Sequence, residues 1–258
     1  MKDEAMGKYL DRYIQHKSLG RWRRAAQRSD QIALPELRRQ RDEARQLRGQ
    51  LEQVIQKADG RLTKPLIGAS QFSRPLGTDW SWRPDLWRTP LTRRGIAPAS
   101  RKTRMDAQVT LFHDCSQADI GMQQIRNRRD KDLAPFSMVV EAFDFQGSFL
   151  SLSVELPTDA AAGLTRQHLM RVETMIECER PTVLFARLNI QHGPNAEQVL
   201  RELDLSAPST AVDFDLAHLD LNERRIEKLW LDLIIEEPRM NRVVFRDLTF
   251  CRYHRADL

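Results

Sequence analysis

The sequence predicts a mainly β protein, an antiparallel β-sandwich of jelly-roll type preceded by an α-helical N-terminal arm. Three observations predict it. After residue 78, about eight or nine short runs carry apolar residues at every second position, as strands do when one face is packed and the other wet. Before residue 60 the apolar residues recur at helical and heptad spacing instead. No strand–helix–strand rhythm appears, which excludes a doubly wound parallel sheet. The expected organisation is a basic helical arm over 1–60 for docking or oligomerisation, a linker over 61–77, and a sandwich domain over 78–258.

With 258 residues, 41% of them hydrophobic, the chain can bury one sizeable core with an appendage. No apolar run approaches the roughly 18 to 20 residues that cross a bilayer, and the amino end lacks the apolar core of a secretory signal, so the expected location is the cytoplasm. Cys115, Cys178 and Cys251 are far apart and show no CxxC or Cys/His spacing. Buried reduced thiols are expected, with no metal and no cofactor. The net charge of +5 is uneven: residues 1–48 hold 13 Lys/Arg and seven Asp/Glu, so the rest of the chain is close to neutral. The arm is therefore the part expected to meet an acidic partner, whether nucleic acid, anionic membrane or protein.

In the arm, Asp3 is placed to cap a first helix lined by Met6, Leu10, Tyr13 and Ile14, which Gly20 weakens or ends. Trp22 lies between arginines, where an indole either stacks on a partner or covers its own helix. Pro35 opens a second helix that Gly60 is expected to cap. Leu37, Ala44, Leu51 and Ala58 are seven apart, Leu47 and Val54 fill the intermediate positions, and Gln40 occupies one of them. This narrow seam over Leu37, Ala44, Leu47, Leu51 and Val54 fits either a second helix of a homo-oligomer or the chain's own β-domain.

Three tryptophans fall within Thr78–Arg88. Trp80 and Trp82 share a face of an extended segment, so Trp80, Trp82 and Trp87 are the candidates for a sugar- or base-stacking platform; the alternative is that they plug the end of the sandwich. Phe136–Phe145 and Phe149–Leu156 read as a hairpin about Gln146-Gly147-Ser148, with Gly147 supplying a positive φ. His168–Glu179 is a long alternating strand turned by Arg180-Pro181 into an antiparallel neighbour, Leu184–Ile190, which ends at His192-Gly193-Pro194-Asn195. Ala211–Leu216, Leu229–Glu236 and Arg242–Arg252 are further strands. Glu197–Leu203 and Asn222–Lys228 read as short helices.

No glycine-rich phosphate loop, nucleophile elbow or HExxH is present. Asp213 and Asp215 share a strand face and fit an acid–base pair, a calcium site or a solvated face. His113 and Cys115 share a face without a third catalytic partner.

The strings Gly77–Arg88, Gln146–Leu152, Phe185–Asn195 and Phe245–Phe250 resemble an uncharacterised family of Rhodobacterales-type alphaproteobacterial proteins, across nearly the whole chain. The family lends no residue a role. In the same bacteria, gene transfer agents carry head spikes that attach to capsular polysaccharide, and a helical arm joined to a jelly roll suits such a part. The resemblance therefore implies a non-enzymatic structural protein that binds polysaccharide through its body, in the cytoplasm or in a phage-like particle. The alternatives are an adaptor whose arm binds membrane or nucleic acid, and a carbohydrate-active enzyme using Asp213 and Asp215.

Overall fold

The computed structural model describes residues 2–62, 72–116, 119–207 and 209–255, and the chain divides into two compact units, 1–58 and 59–258. Two long helices dominate the first, α1 (Lys2–Arg28) and α2 (Leu34–Leu62). Contrary to expectation, α1 continues through Gly20 and α2 through Gly60. An interior glycine costs a helix only about 1 kcal/mol relative to alanine, which good helix formers on either side outweigh. Pro35 stands in the first turn of α2, where its missing N–H has no intrahelical partner to lose. Near the turn between the helices, Arg21 donates to Glu43 at 2.7 Å. Its guanidinium also lies 5.2 Å from the centre of the half-buried Trp22 ring, so this indole has local cover. Further along α2, Leu47, Leu51, Val54 and Ile55 are exposed. Most of the predicted linker, residues 63–71, lies outside the described residues.

The second unit is an antiparallel sandwich. Its elements are β1 (Thr78–Trp82), α3 (Asp85–Arg88), β2 (Gly95–Ile96), β3 (Lys102–Arg104), β4 (Val109–His113), β5 (Ile120–Arg126), β6 (Phe136–Ala142), β7 (Leu150–Glu155), β8 (His168–Cys178), β9 (Leu184–His192), β10 (Asn195–Glu202), β11 (Ser209–Asp215), β12 (Ile226–Ile235) and β13 (Asn241–His254). One sheet runs β11-β8-β13-β6-β5-β2, with β1 also on β13; the other runs β10-β9-β12-β7-β4-β3. Alternate residues of both face inward. Leu188, Leu231, Leu152 and Leu111 from one sheet and Met170, Phe250, Met138 and Met122 from the other are all buried in one core.

The pairing departs from two expectations. β6 and β7 are not a hairpin, because β6 pairs with β5 and β13 whereas β7 pairs with β4 and β12 in the other sheet. A strand apolar on both faces requires neighbours on both sides, and β6 finds them within its own sheet. The connection over 143–149 crosses the sandwich, held by Asp114, which accepts from Ser148 N at 2.7 Å. Gly147 is needed there for close approach rather than for a positive φ: a Cβ would lie 2.9 Å from Cys115 N and from the Phe145 ring. Likewise β8 and β9 lie in opposite sheets.

The segment expected to be helical at 197–203 is mostly the edge strand β10, turned onto β9 at Gly193 with φ +61°. The segment expected to be helical at 222–228 holds only a single 3-10 turn, Glu223–Arg225, and from Ile226 onward it is already β12. His113 and Cys115 are interior residues: His113 Nε2 lies 3.3 Å from Ala99 O, and Cys115 Sγ accepts from Gln146 N at 3.4 Å.

Candidate functional site

The tryptophans singled out by sequence turn inward. Trp87 is completely buried and donates its indole N–H to Phe245 O at 2.9 Å, so it offers no face to a ligand. Its short helix is held by Gln124, whose amide donates to Leu86 O at 2.6 Å and Thr89 O at 2.8 Å. Trp82 is the register partner of Phe250, with ring centres 5.5 Å apart, and Trp80 stacks beside it at 6.4 Å. Both are half-buried and pack against the core from β1, which lies alongside β13. Burial of a large indole is what selects these positions.

Aromatic and polar groups instead meet on the outer face of the six-stranded sheet. The register builds this face in rows. Asn189, Trp230 and Glu155 lie abreast on β9, β12 and β7. The next row is Arg187, Asp232, Ser153, Thr110 and Arg104, running on across β4 and β3. The third is Phe185, Ile234, Ser151, Phe112 and Lys102. A groove of about 390 Å³ follows these rows, walled by Lys102 and Arg104 on one side and by Gln191, Lys228 and Trp230 on the other.

Its polar groups are held in place. Asp232 accepts from Arg187 and Asn189, each at 2.9 Å, and Lys228 reaches Glu155 at 2.9 Å. The Lys228 ammonium lies 6.0 Å from the Trp230 ring centre, and that of Lys102 lies 5.6 Å from Phe112. Two buried acceptors on this face, Asn189 Oδ1 and Ser151 Oγ, have no partner among the described residues. Neither residue lines the groove itself, and both lie beneath its floor. Sequence reasoning missed Trp230 and Phe112, although one signal was available. Trp230 stands between Lys228 and Asp232 on the wet side of a strand whose other side is Leu229, Leu231, Leu233 and Ile235.

The carboxylates predicted as an acid–base pair are committed elsewhere. On the outer face of β11, burial pushes the Asp213 carboxyl up, but the Arg171 hydrogen bonds at 2.8 and 2.6 Å and the Tyr253 hydroxyl at 3.0 Å outweigh this and hold it below the ordinary range. Asp215 accepts from Ala217 N at 3.0 Å and lies 3.6 Å from Arg255.

One cluster among the described residues has the composition of a metal site, Asp79, His168 and His254, with ligand atoms within 4.8 Å of one another. Its hydrogen bonds oppose that role. Arg252 donates to both Asp79 oxygens at 2.9 to 3.1 Å, supplying the cation. Thr165 N donates to His168 Nδ1 at 3.1 Å, which places the neutral ring's proton on Nε2, the atom 3.5 Å from Asp79. A metal would have to displace a guanidinium and strip that proton.

The second unit is an antiparallel β-sandwich with an open groove, lined in part by aromatic side chains, on the outer face of one sheet. The chain belongs to a family of unknown function (DUF6478), whose model matches residues 1–258. No curated protein matches the sequence. Among solved structures, it is similar to a family 11 carbohydrate-binding module from Clostridium thermocellum in complex with a β-1,3-1,4-mixed-linked tetrasaccharide. That pair is 8% identical with a TM-score of 0.38, covering 58% of this chain and 94% of the module. It is also similar to the CBM22-1–GH10 modules of xylanase 10B from the same organism, complexed with xylohexaose, at 8% identity and a TM-score of 0.36. There the match covers 57% of this chain but only 29% of that one. The module TmCBM61 in complex with β-1,4-galactotriose is 14% identical, with a TM-score of 0.32, covering 60% of this chain and 100% of that one. Likenesses of this size carry no argument about ligands, and the functional reading rests on this chain's own geometry.

Proposed function

We propose that this protein is a non-enzymatic polysaccharide-binding module, that it holds glycan in the groove on the outer face of the six-stranded sheet, and that it assembles through its helical arm. The observation that carries the first part is the placing of Trp230 and Phe112 among fixed amide, hydroxyl and charged groups in an open groove. Sugars offer an apolar ring face to an aromatic and a rim of hydroxyls to hydrogen-bonding groups, and this surface supplies both. The test is titration calorimetry of the full chain against a panel of soluble polysaccharides. Trp230→Ala is expected to weaken binding at least tenfold, about 1.4 kcal/mol, with an unchanged circular dichroism spectrum. A variant that binds like the parent places the site elsewhere.

The second part rests on the exposed face Leu47, Leu51, Val54 and Ile55 of α2. The occupant we propose is a second copy, because Leu47 and Val54 continue one seam position and Leu51 the other at heptad spacing, the pattern by which one helix packs against its like. Glu36 and Glu43 are already bound within the chain, to Arg39 and Arg21, so the direction of pairing is set by the apolar seam and not by these charges. Such a body plan suits an attachment component of a phage-like particle, of the gene transfer agent head-spike kind that the sequence resemblance suggests.

A further inference from the structure

Resting on that reading of the groove, we propose that its ligand is an acidic polysaccharide, whose carboxylate or sulfate groups bind Lys102 and Arg104 while a ring of the polymer stacks on Trp230. Five charged side chains line the groove, and both carboxylates among them are already matched: Glu155 by Lys228 at 2.9 Å and Asp232 by Arg187 at 2.9 Å. Lys102 and Arg104 form no ion pair with a carboxylate among the described residues, although the largely buried Asp106 carboxyl feels the Arg104 charge. Lys102 lies over Phe112, and the Arg104 guanidinium donates to Asp106 O at 3.0 Å and Ala107 O at 2.8 Å. Neutral carbonyls fix where that guanidinium points and leave its charge in place.

The two cations are two residues apart on β3, hence on one face, and both border the groove. Nor is this a general basicity of the body, since residues 49–258 hold 28 Lys/Arg and 29 Asp/Glu once the arm's 13 and seven are removed from the totals of 41 and 36. Positive charge left over on one wall of a groove attracts an anion.

Length then selects a polymer. β12 and β3 are separated by β7 and β4, so Trp230 and the cationic wall are three strand spacings apart, about 14 Å. A ligand engaging both is longer than a single sugar ring and runs across the strands.

The experiment measures affinity of the full chain, at low and at high salt, for polygalacturonate, a sulfated galactan, and a neutral galactan and mixed-linkage glucan. At low salt at least one acidic polymer is expected to bind at least tenfold more tightly than the neutral ones, with the gap closing at high salt. Which acidic polymer gains tells carboxylate from sulfate recognition. Lys102→Gln with Arg104→Gln is expected to remove the gap, acidic polymers then binding no more tightly than neutral ones at either salt concentration, whereas Trp230→Ala weakens binding to all polymers at least tenfold. An acidic preference that survives the double substitution lies on another basic surface, such as the arm, and overturns the proposal. Equal binding of acidic and neutral polymers, abolished by Trp230→Ala, also overturns it but leaves the glycan-binding function standing. If no polymer binds, that function itself falls.

Discussion

The outer faces of the two sheets are built from the same residue types and put to different ends. On the seven-stranded sheet the charges are closed on one another: Arg171 with Asp213, Arg246 with Glu177 and Asp132, Arg242 with Glu141. Arg83, buried, grips Asp247 through two hydrogen bonds of 2.8 Å. On the six-stranded sheet, Trp230, Phe112, Lys102 and Arg104 remain directed at a groove. A sheet face saturated with its own ion pairs has little left to offer a ligand. The difference therefore lies in what is left uncommitted and not in composition.

The sharpest way to break this contrast is to truncate one tryptophan from each setting. Trp87→Ala opens a cavity in a fully buried site and removes the partner of Phe245 O. It is expected to cost about 3–5 kcal/mol in urea unfolding, with glycan affinity per folded molecule unchanged. Trp230→Ala should show the opposite profile, losing binding with a stability change below about 1 kcal/mol, as ordinary for surface positions. Two variants with the same profile would mean that inner and outer aromatics do not differ in role.

The arm allows the same comparison on a helix, where an apolar face lies open instead of packed. Leu47→Glu puts a charge into the proposed seam and is expected to reduce the mass by light scattering to that of one chain, with the β signal in circular dichroism unchanged. A wild type that is already monomeric, or a variant of unchanged mass, removes the second copy as the occupant of that face.

A smaller effect is expected on the saturated face. Asp213→Asn and Asp215→Asn should change stability by about 1 kcal/mol or less, because these pairs are partly solvated. They should also leave glycan affinity intact. Release of reducing ends from any polysaccharide by the parent, lost in either variant, would restore the enzyme reading and show that a closed ion pair can hide an active site.

The same comparison explains what could be read from the sequence. Strands such as β8 and β7 were legible because one face is apolar and the other is not, and the arm because its apolar residues recur at three, four and seven. Alternation reports that a face is buried but not which strand lies beside it, so β6 with β7, and β8 with β9, read as neighbours though each pair spans the two sheets. β10 was missed because this edge strand sets only Val199 against the core, with the charged Glu197 two residues before it, so it has no apolar alternation to show. The groove was missed for a related reason. Its residues come from five strands, between Lys102 and Asp232, and only the register brings them together. The tryptophans adjacent in sequence drew attention by their spacing, and that spacing belongs to packing.

The pH dependence of stability distinguishes whether the cluster at Asp79 and His168 is the closed, structural arrangement its hydrogen bonds describe. Burial lowers the His168 pKa from its ordinary 6.5; Asp79 opposes the shift, while His254 and Arg252 reinforce it. Because Nδ1 accepts the Thr165 N–H, protonating the ring costs that bond as well. A histidine whose folded pKa is depressed stays neutral in the fold while the unfolded chain takes up a proton near pH 6.5. Its contribution is thus full above that pH, declines as pH falls from there towards the folded value, and is lost below it. Asp79 is also lowered, Arg252 overcoming its burial, but its contribution is lost only at pH below the ordinary carboxylate range. Two windows follow. Thermal unfolding of the parent should weaken between pH 7 and 5 by at most about 1.4 kcal/mol per pH unit from this group. His168→Gln, which keeps an acceptor for Thr165, should flatten that portion and leave the acid limb attributed to Asp79. Other histidines titrate in the same range, so the difference between the two profiles is the quantity to read. If the profiles coincide, His168 has the same pKa folded and unfolded, and the cluster is open to solvent, protons and ions after all.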